Sequence, residues 1–164
     1  MKLPIRSSYW AADGLLAGEY PGSLDAVAAE RRLRAFAVHD VTVFVDLTHP
    51  ADGLDPYDRL LGATARRIPH PIVDMGTTTI PHMSRILDDV DAALANGRTV
   101  YVHCWGGVGR TGTVVGCWLM RHGLDQGDPI RRIAKLRRDL DAAWMSSPET
   151  AAQRAMVAEW KRGR

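Results

Sequence analysis

Between positions 101 and 112 the chain reads YVHCWGGVGRTG, with Cys104 six residues ahead of Arg110 and three glycines in between. A tight turn requires one such glycine, or two. Gly106, Gly107 and Gly109 let consecutive backbone N–H groups converge, and a helix starting directly after them adds its positive end, so the stretch is predicted to be a nest for a phosphate-sized anion. The nucleotide-binding turn G-x-x-x-x-G-K-[ST] is excluded, because Arg110 stands where its lysine belongs and Cys104 where its first glycine belongs. A thiolate at the mouth of such a nest is stabilised by the same N–H groups and helix dipole, which makes Cys104 a candidate nucleophile at neutral pH. Arg110 matches it, since a planar guanidinium grips two phosphoryl oxygens at once. Thr111, at the helix start, is expected to turn its hydroxyl back toward the loop and donate to the thiolate when Cys104 departs.

The elements that must hold this turn follow an α/β rhythm. Extended runs are predicted at 15–20, 41–47, 66–73 and 98–103, the third short and peripheral because of its two prolines and the fourth central and buried. Helices are predicted at 24–37 after a Ser23 cap, at 83–96 with Met83, Ile86, Leu87, Val90 and Leu94 on one face, and at 111–123 ending at Gly123. Two more are expected at 127–140 and 148–162, the last opening on Ser147-Pro148-Glu149. The implied fold is one α/β domain over residues 1–164, a central mixed, mainly parallel sheet flanked by helices. In such a sheet ligands bind beyond the carboxyl ends of the strands, where the glycine-rich turn lies.

His103-Cys104, five residues, then Arg110-Thr111-Gly112 is similar to the signature of the cysteine-dependent protein tyrosine and dual-specificity phosphatases. The strand and loop order, with LLAGEYPGS at 15–23 and FVDLT at 44–48, resembles the small bacterial dual-specificity-like members over nearly the whole chain. The resemblance implies a two-step reaction through a phosphocysteine with no metal and no cofactor. It places residues 105–110 (Trp105, Gly106, Gly107, Val108, Gly109 and Arg110) around the phosphoryl oxygens. It also implies an aspartate acid on the loop after the preceding strand, a role that falls on Asp74, thirty residues before Cys104, with Asp46, Asp52 and Asp55 as alternatives. Gln153 lies at one of the family's two water-placing glutamine positions, or is an exposed or capping helix residue; Glu149 stands at the other. If Gln153 is idle, Asp74 returns as the base for water.

Several residues have plainer readings. His103, at the end of a buried strand, is expected to brace the loop rather than act as a base or zinc ligand. Cys117 lies mid-helix among Val115, Trp118 and Leu119 and is expected to be a core thiol rather than a resolving partner for Cys104. The run RRIAKLRRD at 131–139 is expected to be a solvated face with Ile133 and Leu136 inward rather than a docking patch. Tyr9, Trp10 and Tyr20 are expected in the core, with a phosphotyrosine slot as the alternative.

Composition narrows the function further. Lys and Arg number 21 against 19 Asp and Glu, for a net charge of +2, with no basic tail, so no nucleic-acid partner is expected. No apolar run reaches the roughly 18 residues of a membrane span, the N-terminus shows no signal-peptide pattern, and two cysteines are too few for a disulfide framework, which together predict a cytoplasmic protein. The turn positions 105–109 are uncharged, where relatives acting on polyphosphorylated inositides carry lysines. The expected partner is therefore a phosphorylated protein or another phosphate monoester, phosphotyrosine first. A phosphoinositide or inositol-phosphate phosphatase, a non-catalytic phosphate-binding module, and a rhodanese-like sulfurtransferase or arsenate reductase are the competing readings.

Overall fold

The computed structural model describes residues 3–123 and 127–164. Five strands run in the order β1-β2-β5-β3-β4, where β1 is Ser8–Ala12, β2 Leu15–Gly18, β3 Val41–Asp46, β4 Arg66–Pro69 and β5 Thr99–His103. Only the β1–β2 hairpin is antiparallel; β2, β5, β3 and β4 lie parallel. The expected mixed, mainly parallel sheet is thus found. β1 is an addition: residues 8–12 carry no clean alternation, and pairing across the turn at Asp13-Gly14 supplies what local pattern does not.

Among the described residues five α-helices flank the sheet, α1 Ala26–Val38, α2 Ile80–Ala95, α3 Gly109–Arg121, α4 Pro129–Leu136 and α5 Ala151–Glu159, the last packed on α3 and α4. Alternation along β5 shows how the two faces divide. Val100 and Val102 join the cluster built with Met83, Ile86, Leu87 and Val90 of α2 and Val114 and Val115 of α3. Tyr101 points the other way, into a smaller cluster with Leu33 and Phe36 of α1 and Phe44 of β3. A strand buried on both faces needs apolar residues along its length, which β5 has from Val100 to Val102. On α2 the inward stripe is as expected, with Ala93 fully buried in place of Leu94, which is only partly so.

Helix starts depart from expectation wherever two capping residues compete. Asp25, not Ser23, caps α1, its Oδ1 accepting from Ala28 N at 2.7 Å while Ser23 Oγ accepts from Asp25 N. α2 begins one turn early, at Ile80 behind the Thr79 cap, because proline is tolerated in a first turn. α5 begins at Ala151, not at 148: Thr150 and Gln153 form a reciprocal capping box. α4 ends at Leu136, shorter than the expected 127–140, and turns follow. The basic run is not wholly solvated either. Arg137 is buried, donating from Nη1 to Met145 O at 3.0 Å and from Nη2 to Ala142 O at 3.2 Å, and so staples the turn after α4. Among the described residues no helix is long and apolar enough to cross a membrane.

Candidate active site

At the carboxyl end of β5 the chain leaves the sheet at Cys104, turns through residues 105–108 and enters α3 at Gly109. Gly107 is essential to that path. Its φ is +69°, and a Cβ there would fall 2.6 Å from Glu19 N, because the turn packs directly on the end of β2. Gly106 has open space around it. Tyr20 N donates to Trp105 O at 2.8 Å, and Ser147 Oγ donates to Val108 O at 2.7 Å, so the turn is gripped from both sides. Cys104 is 3% exposed and borders a cavity of about 220 Å³ with Asp74, Met75, Trp105, Val108, Gly109, Met145 and Glu149. Trp105 forms an exposed wall of it.

Arg110 is almost wholly buried beside this cavity. Its Nη1 donates to Asp52 Oδ2 at 2.7 Å and to Ile72 O at 2.9 Å, and its Nη2 pairs with Asp74 Oδ1 at 2.9 Å. Nε is buried with no partner among the described residues. Burial opposes the guanidinium charge, but the Asp52 hydrogen bond and the negative neighbours outweigh it and keep the group protonated. Asp52 thus holds Arg110 through a buried ion pair. It stands in a single 3₁₀ turn, Pro50–Asp52, where it also accepts from His49 N at 3.0 Å.

Asp74 opens the loop between β4 and α2 and is half exposed at the cavity mouth. Asp46 is occupied elsewhere: Thr48 N and Thr48 Oγ1 donate to it at 2.8 and 2.7 Å, and Arg67 Nη1 at 3.0 Å. Burial alone would push its carboxyl up; the Thr48 and Arg67 hydrogen bonds win and hold it below the usual carboxylate range. Asp55 lies outside the Cys104 cavity, and its backbone carbonyl accepts from the Tyr20 hydroxyl.

His103 braces the loop, as expected. Its Nδ1 faces Cys104 O at 3.2 Å and its Nε2 faces the Tyr57 hydroxyl at 2.6 Å, which assigns the tautomer: Nδ1–H donates to the carbonyl and Tyr57 donates to Nε2. Burial pushes the imidazole down and the phenol up, so both stay neutral. Tyr57→Phe is expected to cost about 1–3 kcal/mol by leaving Nε2 without a donor, read as a lower urea midpoint at unchanged slope.

One sequence-based role changes, that of Thr111, while Gln153 and Cys117 take the plainer of their two readings. Thr111 directs its hydroxyl to Gly18 O at 3.3 Å, a tie to β2, rather than to the cysteine sulfur. Gln153 is fully buried: its Oε1 accepts from Glu149 N and Thr150 N at 3.0 and 3.1 Å, and its Nε2 donates to Gly76 O at 2.9 Å. It is a cap that also fastens the Asp74 loop. Cys117 is a core thiol, pushed up by burial. Of the aromatics, Tyr9 is core, Trp10 packs at its margin, and Tyr20 lines an apolar groove with Leu24, Leu54 and Trp105 next to the cavity. Among the described residues no three His, Cys, Asp or Glu side chains converge as a metal would require.

Known proteins resemble this chain in sequence and in fold. The family model described as "Polymorphic toxin system, DSP-PTPase phosphatase" matches residues 19–124. An uncharacterised protein of Methanocaldococcus jannaschii, MJECL20, is 41% identical over 63 residues, 38% of this chain and 42% of its own length. The phosphatase Tk-PTP in its active form superposes with a TM-score of 0.74 at 22% identity, over 94% of this chain and 96% of that one. PTPMT1, solved with PI(5)P, gives a TM-score of 0.71 at 20% identity over 94% of each chain. At such identities the likeness to these structures is one of fold. The family match spans more than half of the sequence and includes the whole turn from Cys104 to Gly112, and the chain therefore belongs to this DSP-PTPase family, within the cysteine-dependent, dual-specificity-type phosphatases.

Proposed function

We propose that the protein hydrolyses phosphate monoesters of proteins, phosphotyrosine first and phosphoserine or phosphothreonine in addition, through a phosphocysteine and without a metal. One observation carries the reading: Cys104 shares a small cavity at the N-terminus of α3 with an aspartate that is ion-paired to Arg110. Cys104 Sγ attacks phosphorus in line with the ester oxygen. The backbone N–H groups of residues 105–110 and the positive end of α3 hold the phosphoryl oxygens. Arg110 adds its fork: Nε is unpartnered, and an incoming dianion competes with Asp74 for Nη2. Substrate binding thereby frees Asp74 from its ion pair, and the carboxylate takes up a proton from solvent, which it passes to the departing oxygen. Water then frees phosphate from the sulfur.

The composition of the cavity rim supports this substrate class. Met75, Trp105 and Met145 are apolar, Asp74 and Glu149 are acidic, and no lysine or arginine lines the opening among the described residues. An aromatic phosphate suits such a rim better than an inositol ring bearing several phosphates. The fold likeness to PTPMT1 in complex with PI(5)P makes a phosphoinositide the second reading.

The test is hydrolysis in EDTA of an aryl phosphate, a phosphotyrosyl peptide and a phosphoinositide. The peptide and aryl ester are expected to turn over and the lipid to lag; phosphate binding with no turnover of any of the three overturns the reading. Asp74→Asn is expected to slow kcat by about 10²–10⁴-fold, the range of general acid catalysis. The loss grows as the leaving group becomes more basic, so phenyl phosphate suffers more than p-nitrophenyl phosphate. Equal losses on both esters would remove Asp74 from the acid role.

A further inference from the structure

Beside the Cys104 cavity lies a groove of about 320 Å³ that the reaction leaves unused. Tyr20 and Leu24, from the segment after β2, form one wall and Leu54 and Asp55 another, while Trp105 lines both the groove and the Cys104 cavity. The walls are pinned to each other. The Tyr20 hydroxyl donates to Asp55 O, Tyr20 N donates to Trp105 O at 2.8 Å, and Tyr20 O accepts from Arg32 Nη2 at 3.0 Å. An occupant therefore finds the groove already ordered. Its apolar side chains are also unspent. Leu24 stands directly before the Asp25 cap of α1, the position from which an apolar residue often folds back onto the fourth helical residue, here Ala29. Leu24 does not do so and is 91% exposed; Trp105 is 55% exposed, although Cys104 next to it is buried.

Apolar surface gathered around a hollow, rather than scattered, marks a place that a partner covers. Continuity says which partner. A ligand whose phosphate sits over Cys104 passes Trp105 to reach the groove, so the occupant is a neighbouring part of the same substrate. Charge says what kind. Asp52 at the groove is neutralised by Arg110, but the Asp55 carboxylate is exposed with no partner among the described residues, and Asp74 and Glu149 lie at the adjoining cavity. Such surroundings repel an anionic lipid headgroup and accept a neutral or basic peptide. We propose that the groove is a specificity subsite for a bulky apolar side chain, such as leucine, methionine or phenylalanine, on a residue flanking the phosphorylated one, an inference that rests on the phosphoprotein reading above. Leu24 and Leu54 hold that side chain against Trp105, and Asp55 disfavours an acidic residue beside it. The contact is remote from phosphorus and equal in ground and transition states, so it acts on KM and leaves kcat unchanged.

Steady-state kinetics of the full chain test this on phosphotyrosyl peptides of glycine, serine and lysine in which one leucine is moved through the three positions on either side of the phosphotyrosine. Wild type is expected to prefer one or two of these registers over the leucine-free peptide by about 10–100-fold in kcat/KM, the gain lying in KM. Leu24→Ser and Leu54→Ser are expected to erase that preference and to leave the leucine-free peptide and p-nitrophenyl phosphate at wild-type rates. Leu24 lies almost wholly in water, so its exchange is not expected to unsettle the fold and carries the test if the Leu54 variant folds poorly. A flat response to the leucine among peptides that are turned over, or a preference that survives both variants, overturns the subsite. So does a loss in Leu24→Ser confined to a dioctanoyl phosphoinositide, which would make the groove a seat for an acyl chain. Turnover of p-nitrophenyl phosphate with none of any phosphopeptide defeats the phosphoprotein reading itself, whatever the variants do.

Discussion

Cys104→Ser is expected to leave a folded protein that holds phosphate or vanadate and does not turn over, with kcat down by at least about 10⁴-fold, the scale seen when a nucleophile is removed. Serine is close to cysteine in volume, and position 104 sits in the packed margin of the core, so the fold tolerates the exchange. The chemistry does not. A hydroxyl is un-ionised at neutral pH and needs an adjacent base, as serine has in Ser–His pairs. The adjacent residue here is His103, and both of its nitrogens are spent, one on Cys104 O and the other on Tyr57. The site therefore offers a hydroxyl at position 104 no base. Measured kcat of the purified variant checks this, with melting temperature as the control; activity within tenfold of wild type would exclude Cys104 as nucleophile.

Arg110→Lys is expected to cost on the order of 10³–10⁵ in kcat, the range found where arginine stabilises a transferring phosphoryl group. Charge is conserved in this exchange, and geometry is lost. The arginine divides its donors, with Nη1 fixed by Asp52 and Ile72 O, Nη2 held by the half-exposed Asp74, which a substrate oxygen can displace, and Nε without a partner among the described residues. One ammonium must choose between Asp52 and the phosphoryl group. Arg110→Ala should show a second effect. The Asp52 side chain is 4% exposed, and stripping its cation leaves a buried charge unpaired, at a cost of about 3–5 kcal/mol. The lysine variant should therefore melt near wild type and fail in catalysis, and the alanine variant should fail in both. A lysine variant within tenfold of wild-type kcat would rule out the bidentate grip.

What could be read from residue types alone tracks sequence separation. The turn from Cys104 to Thr111 is contiguous, so glycine spacing, the cysteine and the arginine point to one anion nest, and β5 and α3 on either side are unambiguous in period. Asp74 was reachable because its loop directly follows the β4 segment. Asp52 was not, since its partnership with Arg110 spans 58 positions and nothing in HPADGLD marks one aspartate as the orienter. Thr111 and Gln153 were identified as functional positions, but their hydrogen-bond partners, Gly18 and Gly76, lie 93 and 77 positions away. Helix starts slipped where Ser23 and Asp25, or Ser147 and Thr150, offered two adequate caps, and the choice falls to packing. Arg137 read as one more cation in a basic run; its burial follows from the turn folding back over it.

The loop that carries Asp74 is tied at three points: Asp74 to Arg110, Gly76 O to Gln153, and the Thr78 hydroxyl to the His82 ring on α2. Ordering a free segment costs about 1–2 kcal/mol per residue in backbone entropy. A segment that is free in the resting enzyme would add that cost to the barrier of every catalytic cycle. On the proposed mechanism the fold bears that cost in advance, which leaves the parting of the Asp74–Arg110 ion pair as the loop's share of the activation step.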